Sequence, residues 1–315
     1  MHSFLAPYDD ECALLAIGVP TFNAVTRDFF LLRGYNIFEM GDILAIEKAL
    51  NIKGHNGFCP CRTCEIKGVR NVSGGEKIYY VPLTQPDGRS WDPNNLPMRS
   101  PARLAKVIET LSLPTTTDSE EVPRITAKSK EDISKYHGIK GLPALRRVGS
   151  LHYGKSAPWD VMHLIFENNV QNLVKLWSGN FKGLDTGTED YEIPEEIWEQ
   201  IWQETADAVQ HLPADFVRVL GSNPAYYTAE AWCFWFVYLA PVLLKGRFSD
   251  PKYHLHACQF SDIIKSCLRF TITHTEIHEL RCNIIDWVRK YERYSNSTRC
   301  TSATSTNICQ ILLPA

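Results

Sequence analysis

Hydrophobic and polar positions divide the chain into two contrasting halves. In the first, apolar runs are short. Phe29-Phe30-Leu31-Leu32 and Tyr35-Asn36-Ile37-Phe38-Glu39-Met40 are rich in β-formers and are separated by Arg33-Gly34. They predict a short buried strand pair, or a helix end followed by a strand. Leu44, Ile46, Ala49 and Leu50 then recur at a spacing that suits a short helix from Ile43 to Ile52. Gly54-His55-Asn56-Gly57 is a turn signal, because glycine and asparagine supply the positive φ angles of tight turns. From Ser73 to Ser100, Gly, Pro, Asp and Asn dominate, which predicts extended loop with a short strand at Ile78–Val81. Pro101–Leu111 has a helical pattern. Ser112–Lys135 is polar and aperiodic and reads as an exposed linker.

The second half has helical periodicity. Asp160 is placed to cap a helix whose apolar face is Val161, Leu164, Ile165, Leu173, Leu176 and Trp177, with Gly179 as the stop. Pro194 opens another helix through Ile197, Ile201 and Ala208. Thr228 precedes an aromatic helix carrying Trp232, Phe234, Trp235, Phe236 and Tyr238. Thr275 begins the most regular one, with Ile277, Leu280, Ile284, Trp287, Val288 and Tyr291 on one face. After Tyr294, Ser, Thr, Asn and Cys replace any periodicity, which predicts a disordered tail over 295–315.

Composition sharpens this picture in three respects. With 315 residues, 44% hydrophobic and 22% charged, the chain is long and apolar enough to bury a core without disulfides. Its net charge of −3 supplies no global positive field toward nucleic acid, so such binding would need a local patch. No uncharged apolar stretch reaches the roughly 18 residues of a membrane helix, and the N-terminus lacks the pattern of a secretory signal. Three of the ten cysteines fall within six residues, at Cys59, Cys61 and Cys64. Clustering of that kind suggests metal ligation in a reducing compartment rather than a disulfide framework.

Cys61 and Cys64 stand at the spacing by which two thiolates on a tight turn address one tetrahedral zinc. Four ligands are needed. Candidates for the rest are His55 in the preceding turn, His152, and Asp160 with His163, which fall on one side of a helix start. Ordinary cytosolic cysteines are the plain alternative. Asp42 follows an apolar run, where metal-dependent phosphoryl transfer places carboxylates, but it equally suits a helix N-cap. Glu230 has the same two readings, metal ligand or complement to a helix dipole. Phosphate loops, serine-hydrolase elbows and zincin motifs are absent from the sequence.

Taken in order, Tyr35-Asn36-Ile37-Phe38-Glu39-Met40-Gly41-Asp42, Lys53-Gly54-His55-Asn56-Gly57-Phe58-Cys59-Pro60-Cys61-Arg62-Thr63-Cys64, and Trp159-Asp160-Val161-Met162-His163 with Glu167-Asn168 resemble the transposases of CACTA (En/Spm) elements, in the form common in mushroom-forming fungi. The likeness runs from about Phe4 to Tyr294. It implies an α/β fold: a partial RNase H-like (retroviral-integrase-type) core over 1–52, completed by C-terminal helices over 226–294. A large, mostly helical insertion over 53–225 would interrupt it, carrying the zinc-binding CxxC and a mobile linker at 112–135. By position, Asp42 matches the second acid of the catalytic triad and Glu230 the third. Cys61 and Cys64 match the family's CxxC, and Asp160 and His163 its DxxH.

The same resemblance implies structural Zn2+, catalytic Mg2+ or Mn2+, transposon-end DNA as partner, a homo-oligomer, no membrane association and a nuclear location. Such enzymes cut and join phosphodiesters with two divalent ions held by three acids. The first acid is expected on an early strand, and neither Asp9 nor Asp10 has that context. The expectation is therefore an inactive, truncated transposase fragment. Its alternative is a domesticated zinc-dependent DNA- or protein-binding module without catalysis, and a zinc hydrolase using Asp160 and His163 is a third.

Overall fold

The computed structural model describes residues 2–55, 57–70, 79–85, 87–115, 125–181, 189–213, 217 and 220–295. They form a mixed but predominantly helical protein that divides into two compact units, one from 2–69 with 94–160 and the other from 70–93 with 161–295. The division differs from the boundaries expected at 52 and 225. Most of the tail expected at 295–315 lies outside the described residues.

The first unit begins with helix α1 (His2–Ile17), which places Asp9 and Asp10 on a helix rather than a strand. Strands β1 (Val19–Asn23) and β2 (Asp28–Leu32) follow as an antiparallel hairpin pairing Val19 with Leu32 and Phe22 with Phe29. The strand expected at Phe29–Leu32 therefore exists, but its partner lies upstream and every one of its residues is exposed rather than buried. The reason is local. Asn23 Oδ1 accepts the N–H groups of Val25 and Thr26, and Arg27 takes a left-handed φ of 59°, which closes a turn before β2. Tyr35–Met40 joins no ladder. It is tied instead to the segment after Gly149: Ser150 Oγ donates to Asn36 O, and Glu39 N donates to Ser156 O.

Helix α2 (Ile43–Ala49) places Ile46 in a small core with Leu50, Ile52, Ala157 and Tyr153. Helices α3 (Pro101–Ser112) and α4 (Ala127–His137) supply a second one, in which Leu104, Val107 and Ile108 meet Ile139. Ser100 and Thr126 cap these helices through their hydroxyls. The part of the expected linker from Ala127 onward is thus α4, made possible by that Thr126 cap; residues 116–124 of it lie outside the described residues.

In the second unit, a π-helical stretch, Met162–Val170, runs into α5 (Gln171–Trp177). Helix α6 (Glu195–Val209) follows. Helix α7 (Ala229–Phe234) continues through a π turn, Trp235–Leu239, into α8 (Ala240–Leu243). Helices α9 (Pro251–Cys267) and α10 (His274–Ser295) pack together. Aromatic side chains fill this core. Trp202 lies 5.0 Å from Trp235 and 5.1 Å from Trp198, centroid to centroid, and Phe260 lies 4.4 Å from Trp287. Their polar edges are satisfied internally: Trp235 Nε1 donates to Thr205 Oγ1 at 3.0 Å, and Trp287 Nε1 donates to His256 O at 3.0 Å. Among the described residues, strands pair only two at a time, in β1–β2 and in Val69–Arg70 with Tyr79–Tyr80.

Candidate functional site

The turn Cys59-Pro60-Cys61-Arg62-Thr63-Cys64 is buried throughout, with Cys59 and Cys64 at 0% exposure. Cys61 Sγ accepts the backbone N–H groups of Thr63 and Cys64, each at 3.3 Å. Two N–H dipoles aimed at one sulfur favour its thiolate. Burial alone would raise the Cys61 thiol. The Cys64 side chain, those two N–H groups and the Arg99 guanidinium outweigh burial and bring it down to about 6.

Arg99, itself only 6% exposed, binds the turn from beneath. Its Nε donates to Cys61 O at 2.9 Å, Nη1 to His137 O at 2.8 Å, and Nη2 to Cys59 Sγ at 3.3 Å. A buried guanidinium requires counter-charge, and here sulfur supplies much of it. Gly138 makes this packing possible. It ends α4 at φ 69°, and a Cβ there would fall 2.0 Å from Cys59 O.

Arg62 reaches across 96 residues of sequence to donate from Nη2 to Pro158 O at 2.8 Å. Its guanidinium lies 3.6 Å from the centre of the Trp159 ring. Burial lowers its pKa to about 10, against the opposing charges of Cys61, Glu47 and Asp160. Glu47 in turn accepts from His55 N at 2.6 Å and pairs with His55 Nδ1 at 2.9 Å. Cys61, Arg62, Glu47, His55 and Asp160 therefore form one electrostatic neighbourhood in the first unit. Arg62, Arg99 and Trp159 were not legible as parts of it. The sequence signal was an arginine inside the CxxC and a tryptophan beside Asp160.

The remaining candidates serve local roles. Asp42 is exposed and caps α2, with Oδ1 accepting Ala45 N at 2.6 Å. Glu230 is exposed in the first turn of α7, whose cap is Thr228. His163 belongs to the second unit, where Nε2 lies 3.6 Å from Glu167 Oε2.

As a test of fit to zinc, Cys61 and Cys64 provide soft donors side by side, half of a structural site. Among the described residues, no three His, Cys, Asp or Glu side chains are arranged to hold a metal ion, so the set of four is not assembled. No helix of the described residues is long and apolar enough to cross a membrane. The chain matches no protein-family model, no curated protein and no solved structure.

Proposed function

We propose that the chain is part of a CACTA-type DNA transposase, an RNase H-like core with an inserted cysteine-bearing subdomain, acting in the nucleus on transposon-end DNA. One observation carries this reading. Parts of the segments that bear the resemblance are joined in the first unit. Arg62 of the cysteine turn stacks on Trp159, and Glu39, three residues before Asp42, bonds to Ser156 in the segment that leads to Trp159.

Of the three acids that two-metal cleavage needs, this chain offers Asp42 and Glu230. Two carboxylates supply too few oxygens for a pair of divalent ions, and magnesium tolerates little distortion. Residues 1–315 by themselves should therefore bind DNA without cutting it. Strand-cleavage assays with magnesium or manganese on DNA carrying element ends provide the test, comparing the chain with Asp42→Ala. Robust cleavage that disappears in the variant would overturn the inactive assignment, and absence of any preference for end-bearing DNA would overturn the family assignment.

A second reading, a zinc-dependent binding module, is favoured by the buried cysteine turn and by the capping role of Asp42. In it Cys61 and Cys64 hold zinc, with His55, His152 or Asp160 of the same unit completing the set. Elemental analysis should then find about one zinc per chain. Unchanged zinc in a Cys61→Ser/Cys64→Ser variant would exclude it.

A further inference from the structure

A cavity of about 420 Å³ opens in the second unit between the loop 83–93 and helix α10. Its wall is unusually rich in donors. Arg289 and Arg293 are exposed, stand one helical turn apart on α10, and form no ion pair among the described residues. Trp91 stands in the same wall and is half-buried. Thr84 and Ser90 add hydroxyls, bonded to each other at 3.2 Å across the loop.

The one acid in the wall does not cancel this field. Glu292 receives Leu83 N at 2.5 Å on one oxygen and Thr84 N at 3.2 Å on the other. Those two bonds hold the start of the loop to the helix. Asp286, the acid whose carboxyl Arg293 helps to lower, is taken by Lys290 at 2.6 Å and Gln259 at 2.9 Å.

Paired guanidinium groups are matched to a phosphate, which accepts several charge-assisted hydrogen bonds at once. Inorganic phosphate would leave most of the cavity empty. The indole face of Trp91 offers a stacking surface, and stacking on an aromatic ring is how nucleobases are held without sequence preference. We propose that this cavity binds a nucleoside 5′-phosphate, either free or as the terminal nucleotide of a single strand, with Arg289 and Arg293 on the phosphate and the base against Trp91. The site stands whether or not the chain derives from a transposase.

Isothermal titration of the full chain in phosphate-free buffer tests it. The probes are deoxyadenosine 5′-monophosphate, inorganic phosphate, deoxyadenosine, and a 5′-phosphorylated tetradeoxynucleotide. The nucleotide should bind at least about ten-fold tighter than inorganic phosphate or the nucleoside. Arg289→Gln/Arg293→Gln, both at exposed positions, should weaken binding roughly ten-fold or more with an unchanged melting temperature. Trp91→Ala removes the ring on which the base would lie, and should weaken nucleotide binding by about three- to ten-fold while leaving inorganic phosphate unaffected. Binding of the tetranucleotide alone, lost in the double variant, would support the site with a strand end as its source. No binding of either nucleotide, or binding that survives the double variant, would overturn the proposal.

Discussion

At the scale of single residues, backbone geometry and charge account for more of the cysteine turn than the sulfurs do. Gly138 has both a left-handed φ and the Cys59 carbonyl where a side chain would stand. Gly138→Ala should therefore cost roughly 2–4 kcal/mol, combining the left-handed penalty with a forced backbone shift. Urea denaturation would measure it, and a loss below about 0.5 kcal/mol would show that the contact yields. Cys61 leads to a pH prediction. Its thiol is lowered in the folded state, so its contribution to stability is complete above the ordinary thiol pKa. That contribution declines as pH falls toward about 6, where the folded thiolate takes up its proton. In chelator-treated protein, thiolate absorbance near 240 nm should titrate around that pH and vanish in Cys61→Ser.

His256 acts in the opposite chemical direction but with the same sign. Buried against Trp287, with Nε2–H donating to Trp287 O at 2.9 Å, it is held neutral by burial, and its pKa falls to about 4. The unfolded chain takes up that proton near the usual value of about 6.5. Stability is thus fully present above about 6.5 and is lost as pH drops toward 4, on the order of 1 kcal/mol per unit. His256→Gln should flatten that slope in a pH series of denaturation midpoints while lowering stability at neutral pH.

Between elements, satisfied polar edges set the aromatic core. Trp235 is wholly buried, and its indole N–H depends on Thr205 Oγ1, which also donates to Ile201 O within α6. Thr205→Val preserves volume but strands that N–H, and should cost about 1–3 kcal/mol by thermal denaturation. The helices containing these residues were legible from spacing alone, because apolar positions at three- and four-residue intervals specify a buried face whatever packs on it. The hairpin was only half legible. Its β-rich run was visible at Phe29–Leu32, but partner choice was set by the Asn23 turn, whose weak local signal competed with Arg33-Gly34.

For the molecule as a whole, the burden of exposed apolar surface is uneven. Phe29 is 75% exposed, Met40 83% and Phe4 86%, and every residue of β2 is exposed. A two-stranded hairpin with open edges and apolar faces is prone to pair with other chains. Light scattering should show concentration-dependent association, reduced by Phe29→Lys/Leu31→Lys; identical scattering from both proteins would locate the association elsewhere.

By itself, the sequence determined the helices that start near Asp160, Pro194, Thr228 and Thr275, the capping residues Asp42 and Thr228, and the turn after Gly54. Each follows from interactions within a few residues, where spacing and side-chain chemistry suffice. Helix α9 was not legible, and Asp160 does not cap, since the helix that follows it starts without a side-chain cap. Tertiary structure alone decided what those parts address. Arg99 under the cysteine turn, Arg62 on Trp159, and Trp91 in one cavity wall with Arg289 and Arg293 join segments far apart in the chain. No local pattern encodes such pairings, because a long side chain declares its partner only when packing has brought the partner within reach.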